Sequence, residues 1–282
     1  MSEQDIEDSS APLIEHLAEL RTRLIHSVIA FIIGMVICFT VARPIFNFLA
    51  QPICEQLIAH GGNCDLIFTG LQKGFTTAIN ISLFGGFVLS FPYVAFQMWR
   101  FVAPGLYKQE KNAFLPFLIA SPVLFMLGAA FAYYVVLPLA FNFFLGYQQL
   151  GPAGEAVATD GPSAVGISFL GTIDEYLGLT MKFVIAFGLC FQMPVLLTLM
   201  GKANLVSAEG LGGVRKYAMV GILVLAAIVT PPDVITQVIL FTVVYGLYEI
   251  SILLVRMVEK KREEQLRAEG YYDDEEDEEP AE

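Results

Sequence analysis

Catalysis needs a nucleophile beside a base, a set of metal ligands or a loop that cradles phosphate. The 282-residue sequence contains no HExxH, no GxSxG and no P-loop, and its three histidines, His16, His26 and His60, are scattered. Enzyme and ATPase functions are therefore excluded, and neither a cofactor nor a metal is expected. What remains is recognition by charge. The stretch HLAELRTRL, His16 to Leu24, carries Glu19 and Arg23 four residues apart with Arg21 between them. A second acid, Glu110, lies between Lys108 and Lys111 in WRFVAPGLYKQEKNAF, near the aromatic residues Phe101 and Tyr107. Two carboxylates beside aromatic rings suit a ligand with paired guanidiniums, because arginine–carboxylate bonds are directional and often bidentate. A plain interfacial charge cluster fits the same residues, with the Glu19–Arg23 pair worth about 0.2–0.5 kcal/mol. Spacing alone does not choose between the two.

Other polar residues fall in or beside apolar runs, where they are costly. Gln192 lies in FGLCFQMPV, and Pro194 just after it frees a backbone carbonyl and kinks the helix. A glutamine there either bonds between helices or lines a polar cavity. Asp233 follows Pro231 and Pro232, so it suits an N-cap, and Gln237 lies one turn further on. Cys38 and Cys190 read as packing residues. Cys54 and Cys64 share one loop, which fits either a disulfide or two free thiols.

The elements that hold these residues are membrane helices. Hydrophobic residues make up 56% of the chain and charged ones only 16%, with mean hydropathy +0.63, too apolar for a soluble chain of this length. Runs long enough to cross about 30 Å of hydrocarbon occur at Leu24–Val41, Thr76–Trp99, Phe114–Leu137 and Tyr176–Met200. Tyr217–Val229 and Val234–Val255 complete six. The fold class is thus an all-α membrane protein with six transmembrane helices. The fifth is short, roughly 20 Å at about 1.5 Å per residue, so the hairpin it forms with the sixth implies a locally thinned bilayer. No cleavable signal peptide is apparent, and no internal repeat is evident.

Six spans put both termini on one side. The other side carries only Arg43, Lys73 and Lys182 of the 16 lysines and arginines, so the termini are expected in the cytoplasm. The net charge of −12 comes from the ends, and discounting their acids leaves the body near neutral. Residues 1–12 and 259–282 therefore read as solvated tails, the latter largely disordered, around a single transmembrane domain over 13–258. A small-solute transporter would need acids at midplane to bind a coupling ion. The spans offer few, since Asp174 and Glu175 lie at the outer edge and Glu249 near the inner one.

Together these motifs resemble the TatC family, the multispan subunit of the twin-arginine protein translocase. HLAELRTRL, Gln51-Pro52, FVAPGLYKQE, FAYYVVLPLAFNF, FGLCFQMPV and TPPDVITQ stand in the family's order between about Leu13 and Arg256. The resemblance implies a receptor for signal peptides bearing consecutive arginines, in the bacterial inner membrane. It implies a scaffold for small single-span Tat subunits, homo-oligomeric within a larger complex, that exports folded proteins on the proton-motive force. By the same resemblance Glu19 and Glu110 are the signal-binding acids, Arg21 and Phe101 are their neighbours, and Pro52 is a functionally important loop proline. The family commonly has Glu where this chain has Gln192, which keeps the hydrogen-bonding capacity but carries no proton.

Overall fold

Backbone in hydrocarbon finds no water, so each apolar run must pair its own N–H and C=O groups and becomes a helix. The structure, a computed structural model, describes residues 3–60, 63–106, 115–149, 171–231 and 233–268. Glu110 and most of the loop beginning at Leu150 lie outside the described residues, as does 269–282 of the C-terminal tail. In chain order the helices are α1 (Glu3–Thr40), α2 (Ala42–Ala59), α3 (Lys73–Leu106), α4 (Leu115–Phe131), a π-helical turn (Ala132–Val136) and α5 (Leu137–Gln149). There follow α6 (Ile173–Cys190), α7 (Met193–Lys202), α8 (Ala208–Gly213), α9 (Arg215–Val229) and α10 (Val234–Ala268). Among the described residues β-structure is limited to a parallel bridge between Ile67 and Thr172.

Among the described residues five stretches are long and apolar enough to span a bilayer: Leu17–Thr40, Lys73–Phe101, Pro116–Gly146, Ile173–Lys202 and Val234–Arg267. Helix α9 has 15 residues, about 22 Å, and falls short of the roughly 30 Å core. The chain divides into two compact units, Met1–Leu189 and Cys190–Glu282. Helix α1 starts at Glu3, and α10 runs to Ala268, ten residues past 258. The segment EKKREEQLRA is built of strong helix formers, and Lys260 and Glu264 pair across one turn at 4.0 Å.

In the first unit α1 and α3 pack with backbones almost touching. A Cβ built on Gly86 would stand 2.7 Å from the Met35 amide nitrogen, and one on Gly34 would stand 3.0 Å from the Gly86 carbonyl oxygen. Small residues permit this approach, which supplies dispersion where lipid gives no hydrophobic drive. Helix α2 occupies what reads in sequence as a loop. Its Pro44 sits in the first turn, where the missing N–H costs nothing, and one face buries Leu49, Ala50, Pro52, Ile53 and Leu57. The π turn stands just before Pro138, whose ring would meet the carbonyl of Tyr134 in a regular helix; the wider turn relieves that clash.

In the second unit α7 packs on α10, with Gly201 making room for Val255; a Cβ there would lie 2.7 Å from its Cγ1. Helix α8 is capped by Ser207, which accepts from the Gly210 amide at 3.0 Å. Glu259 of α10 accepts from the Ala208 amide at 2.9 Å, and Tyr248 donates to the Leu211 carbonyl at 2.7 Å.

Candidate functional site

Antiparallel packing of α1 on α3 decides which polar residues meet. Gly34 faces Gly86, and in that register Arg23 reaches Gln97, its Nη1 donating to Oε1 at 3.0 Å. Arg23 also donates through Nη2 to Glu19 Oε1 at 3.0 Å. Gln97 is buried and donates in turn to the Tyr93 hydroxyl at 2.7 Å. A chain of bonds thus runs from the Tyr93 hydroxyl through buried Gln97 and Arg23 to Glu19. It holds the Glu19 carboxylate in one orientation while leaving its side chain 35% exposed. Phe101, half-buried, lies one turn beyond Gln97 and so at the same end as Glu19. Arg21 is exposed and, at about 100° per residue, points away from this face. The arrangement presents one oriented carboxylate that can accept charge-assisted hydrogen bonds, with a resident guanidinium beside it.

Pro52 lies at the opposite end of the unit, buried within α2. Lacking an N–H, it leaves the Phe48 carbonyl without its helical donor. Tyr133, carried by the π turn, donates its hydroxyl to that carbonyl at 2.6 Å and stacks on the Phe48 ring with centroids 4.5 Å apart. Tyr176 donates to the neighbouring Leu49 carbonyl. Two tyrosines from distant segments therefore fasten α2 at its proline. Close by, Asp174 at the start of α6 binds Lys73 at 2.6 Å and accepts from Thr77 at 3.1 Å.

Cys54 and Cys64 stand with Cα atoms 5.0 Å apart, ten residues apart in sequence. That is within the range a disulfide spans. A fragment containing both is expected to be two hydrogens lighter under non-reducing mass spectrometry than after reduction. Two alkylatable thiols in freshly isolated membranes would contradict the bond. Cys38 is buried and Cys190 partly so, and both are free.

In the second unit Gln192 ends the break between α6 and α7. Pro194 cannot donate to the Cys190 carbonyl, and the chain turns at Phe191–Gln192 before resuming at Met193. The interruption is a two-residue turn inside the Ile173–Lys202 stretch, with the Gln192 backbone still helical, as a proline kink gives. The Gln192 carbonyl accepts from the Leu196 amide at 2.9 Å. Asp233 caps α10: its Oδ2 accepts from the Thr236 amide at 2.7 Å and its Oδ1 from the Thr236 hydroxyl at 2.6 Å. Gln237 is half-buried one turn on, its amide donating to the Asp233 carbonyl at 3.3 Å. At the other end of the α9–α10 hairpin, Arg215 donates to both Glu249 oxygens at 2.8 and 2.9 Å, and the Tyr245 hydroxyl adds a third bond at 2.9 Å. Antiparallel pairing therefore brings Glu249 level with the first residue of α9.

Sequence reasoning did not single out Gln97, Tyr93, Tyr133 or Tyr176. Gln97 and Tyr93 carried a usable signal, a polar pair four residues apart near the end of an apolar run. The tyrosines carried none, because their partners are main-chain carbonyls freed elsewhere.

Among the described residues no group of three or more metal-binding side chains occurs. Long apolar helices with polar groups gathered at their ends define the class of integral membrane proteins. The sequence model of the family described as "Sec-independent protein translocase protein (TatC)" matches residues 15–242. The chain belongs to the TatC family, whose members are transport proteins and not enzymes. A relative from Magnetococcus marinus, named Sec-independent protein translocase protein TatC, is 46% identical over 262 residues, 93% of this chain and 90% of its own. Its namesake from Aquifex aeolicus is 42% identical, covering 90% and 98%, and that from Escherichia coli K12 is 36% identical, covering 89% and 90%. A crystal structure described as the twin arginine translocase receptor TatC superposes with TM-score 0.72 at 40% identity, over 86% of this chain and 99% of that one.

Proposed function

We propose that this protein is the receptor and core subunit of a translocase that binds twin-arginine signal peptides and exports folded proteins on the proton-motive force. The observation that carries the reading is the oriented Glu19 carboxylate, fixed through Arg23 by buried Gln97 at the end of α1–α3 where Phe101 also lies. A signal-peptide guanidinium bonds this carboxylate, Glu110 serves a second arginine, and Phe101 offers a ring face to the peptide. Arg21, exposed and turned from this face, contributes positive charge at the end of the helix and so to topology. Pro52, through Tyr133, keeps α2 in place as the platform at the far end. Gln192 supplies a hydrogen-bonding group that does not ionise, and Asp233 with Gln237 shapes the hairpin turn. The partners are signal peptides, small single-span Tat subunits and further copies of this chain, in the bacterial inner membrane.

The test is site-specific photocrosslinking. A photoreactive group at Glu19 or at Glu110 is expected to capture the arginine region of a precursor, and capture of only distant segments would overturn the reading. The same reading has six spans, counting α9, with both termini cytoplasmic. Single cysteines at Ser9, Lys108 and Glu209 should then react with an impermeant reagent only from the cytoplasm, and one at Asp160 only from outside. Outside labelling at Lys108 would exclude six spans.

A further inference from the structure

From the cavity beside α2 we infer a binding site for an anionic phospholipid. The cavity, of about 900 Å³, lies wholly within the first unit, between α2, the Cys64–Phe68 segment and the start of α3. This volume falls in the range typical of ligand pockets. Its floor is apolar: Phe46, Leu66, Phe68, Ala78, Ile81 and Ile173. It follows α3 from Gly74 to Ile81, about 10 Å along a span that begins at Lys73, so it descends from the end of the span into the hydrocarbon.

The polar side chains of the lining are Arg43, Asn47 and Gln51 on α2 and, across from them, Thr77 on α3, whose hydroxyl is given to Asp174 at 3.1 Å. Arg43, Asn47 and Gln51 recur every four residues along α2 and all line the cavity, one guanidinium and two amides on the same face. Arg43 is exposed, and no carboxylate among the described residues pairs with it. Lys73, the other cation near this mouth, is taken up by Asp174 at 2.6 Å. Glu55, the acid on the same helix, lies about three turns from Arg43 and accepts from Gln51 at 2.9 Å. A cation with two amides above an apolar slot matches a phosphate headgroup above an acyl chain. The span end at Thr40, just before Arg43, sets it at headgroup level. Water is a poor occupant for the apolar floor. The guanidinium suits a phosphate that is not masked by its own ammonium. An anionic phosphodiester lipid is therefore favoured over a zwitterionic one.

The purified full-length protein in detergent is titrated with phosphatidylglycerol or phosphatidylcholine and bound lipid is read by native mass spectrometry. The wild type is expected to retain phosphatidylglycerol about tenfold more strongly than phosphatidylcholine, the scale of one charge-assisted bond. Arg43→Gln, a surface change that leaves the core intact, should abolish that preference while keeping binding of both lipids. Ala78→Phe, which fills the slot, should remove both, and an unchanged melting temperature shows that the fold is kept. Equal retention of the two lipids by the wild type overturns the inference. So does an undiminished preference in Arg43→Gln. Displacement of the lipid by millimolar inorganic phosphate alone would overturn it too, because it would mark a free-phosphate site.

Discussion

Glu19→Ala is expected to weaken binding of a twin-arginine peptide by about 1.5–3 kcal/mol, the range for a hydrogen bond to a charged group, or roughly 10- to 150-fold. Two effects act in the same direction. The ligand loses its acceptor, and Arg23, no longer paired with Glu19 at 3.0 Å, remains at the site as an uncompensated cation facing the arriving arginines. Glu110→Ala should weaken binding on the same scale, with membrane insertion and amount unchanged for both variants. The two peptide arginines are not equivalent: replacing the partner of Glu19 should cost little once Glu19 is gone, and a double-mutant cycle measures that coupling. Gln97→Leu removes the group that orients Arg23 without touching the carboxylate, so it should lower affinity less than Glu19→Ala does. Isothermal titration or peptide fluorescence anisotropy reads all of these. Wild-type affinity in the Glu19→Ala, Glu110→Ala double variant would return both acids to an interfacial charge cluster.

The second large effect lies at the other end of the unit. Tyr133→Phe should destabilise the protein by about 1–3 kcal/mol, since it leaves a carbonyl without a donor. The Phe48 carbonyl depends on the tyrosine only because Pro52 has no N–H to give it. Pro52→Ala supplies that N–H from within α2, so Tyr133→Phe should cost much less in that background. Detergent melting curves of the four proteins measure the coupling. Additive losses would sever the link between the proline and the hydroxyl. On this account the proline acts by creating an acceptor that the distant π turn uses.

The class of the protein was open in its sequence because hydrocarbon leaves a chain so few options. Runs of apolar residues with no internal water to bond must form helices, and the turns between them announce themselves through Pro, Gly and charge. The shortness of α9, the cap at Asp233, the interruption at Pro194 and the Glu19–Arg23 pair are all local, set by residues within a few positions of one another, and local physics can be read along the chain. Family order in the motifs added what local physics could not, an expected ligand for Glu19.

Tertiary structure decided which local features meet. Nothing near Arg23 predicts Gln97, 74 residues away, because the pairing follows from Gly34 and Gly86 letting two backbones close in one register. Nothing near Pro52 predicts Tyr133, because the hydroxyl reaches Phe48 only from a π turn set just before Pro138. The buried face of α2 was hidden for the same reason: its burial of Leu49, Ile53 and Leu57 exists only once other helices stand against it. Hydrogen-bonding partners across the fold depend on a register that side-chain size sets, and size at one position acquires meaning only when its opposite number is known.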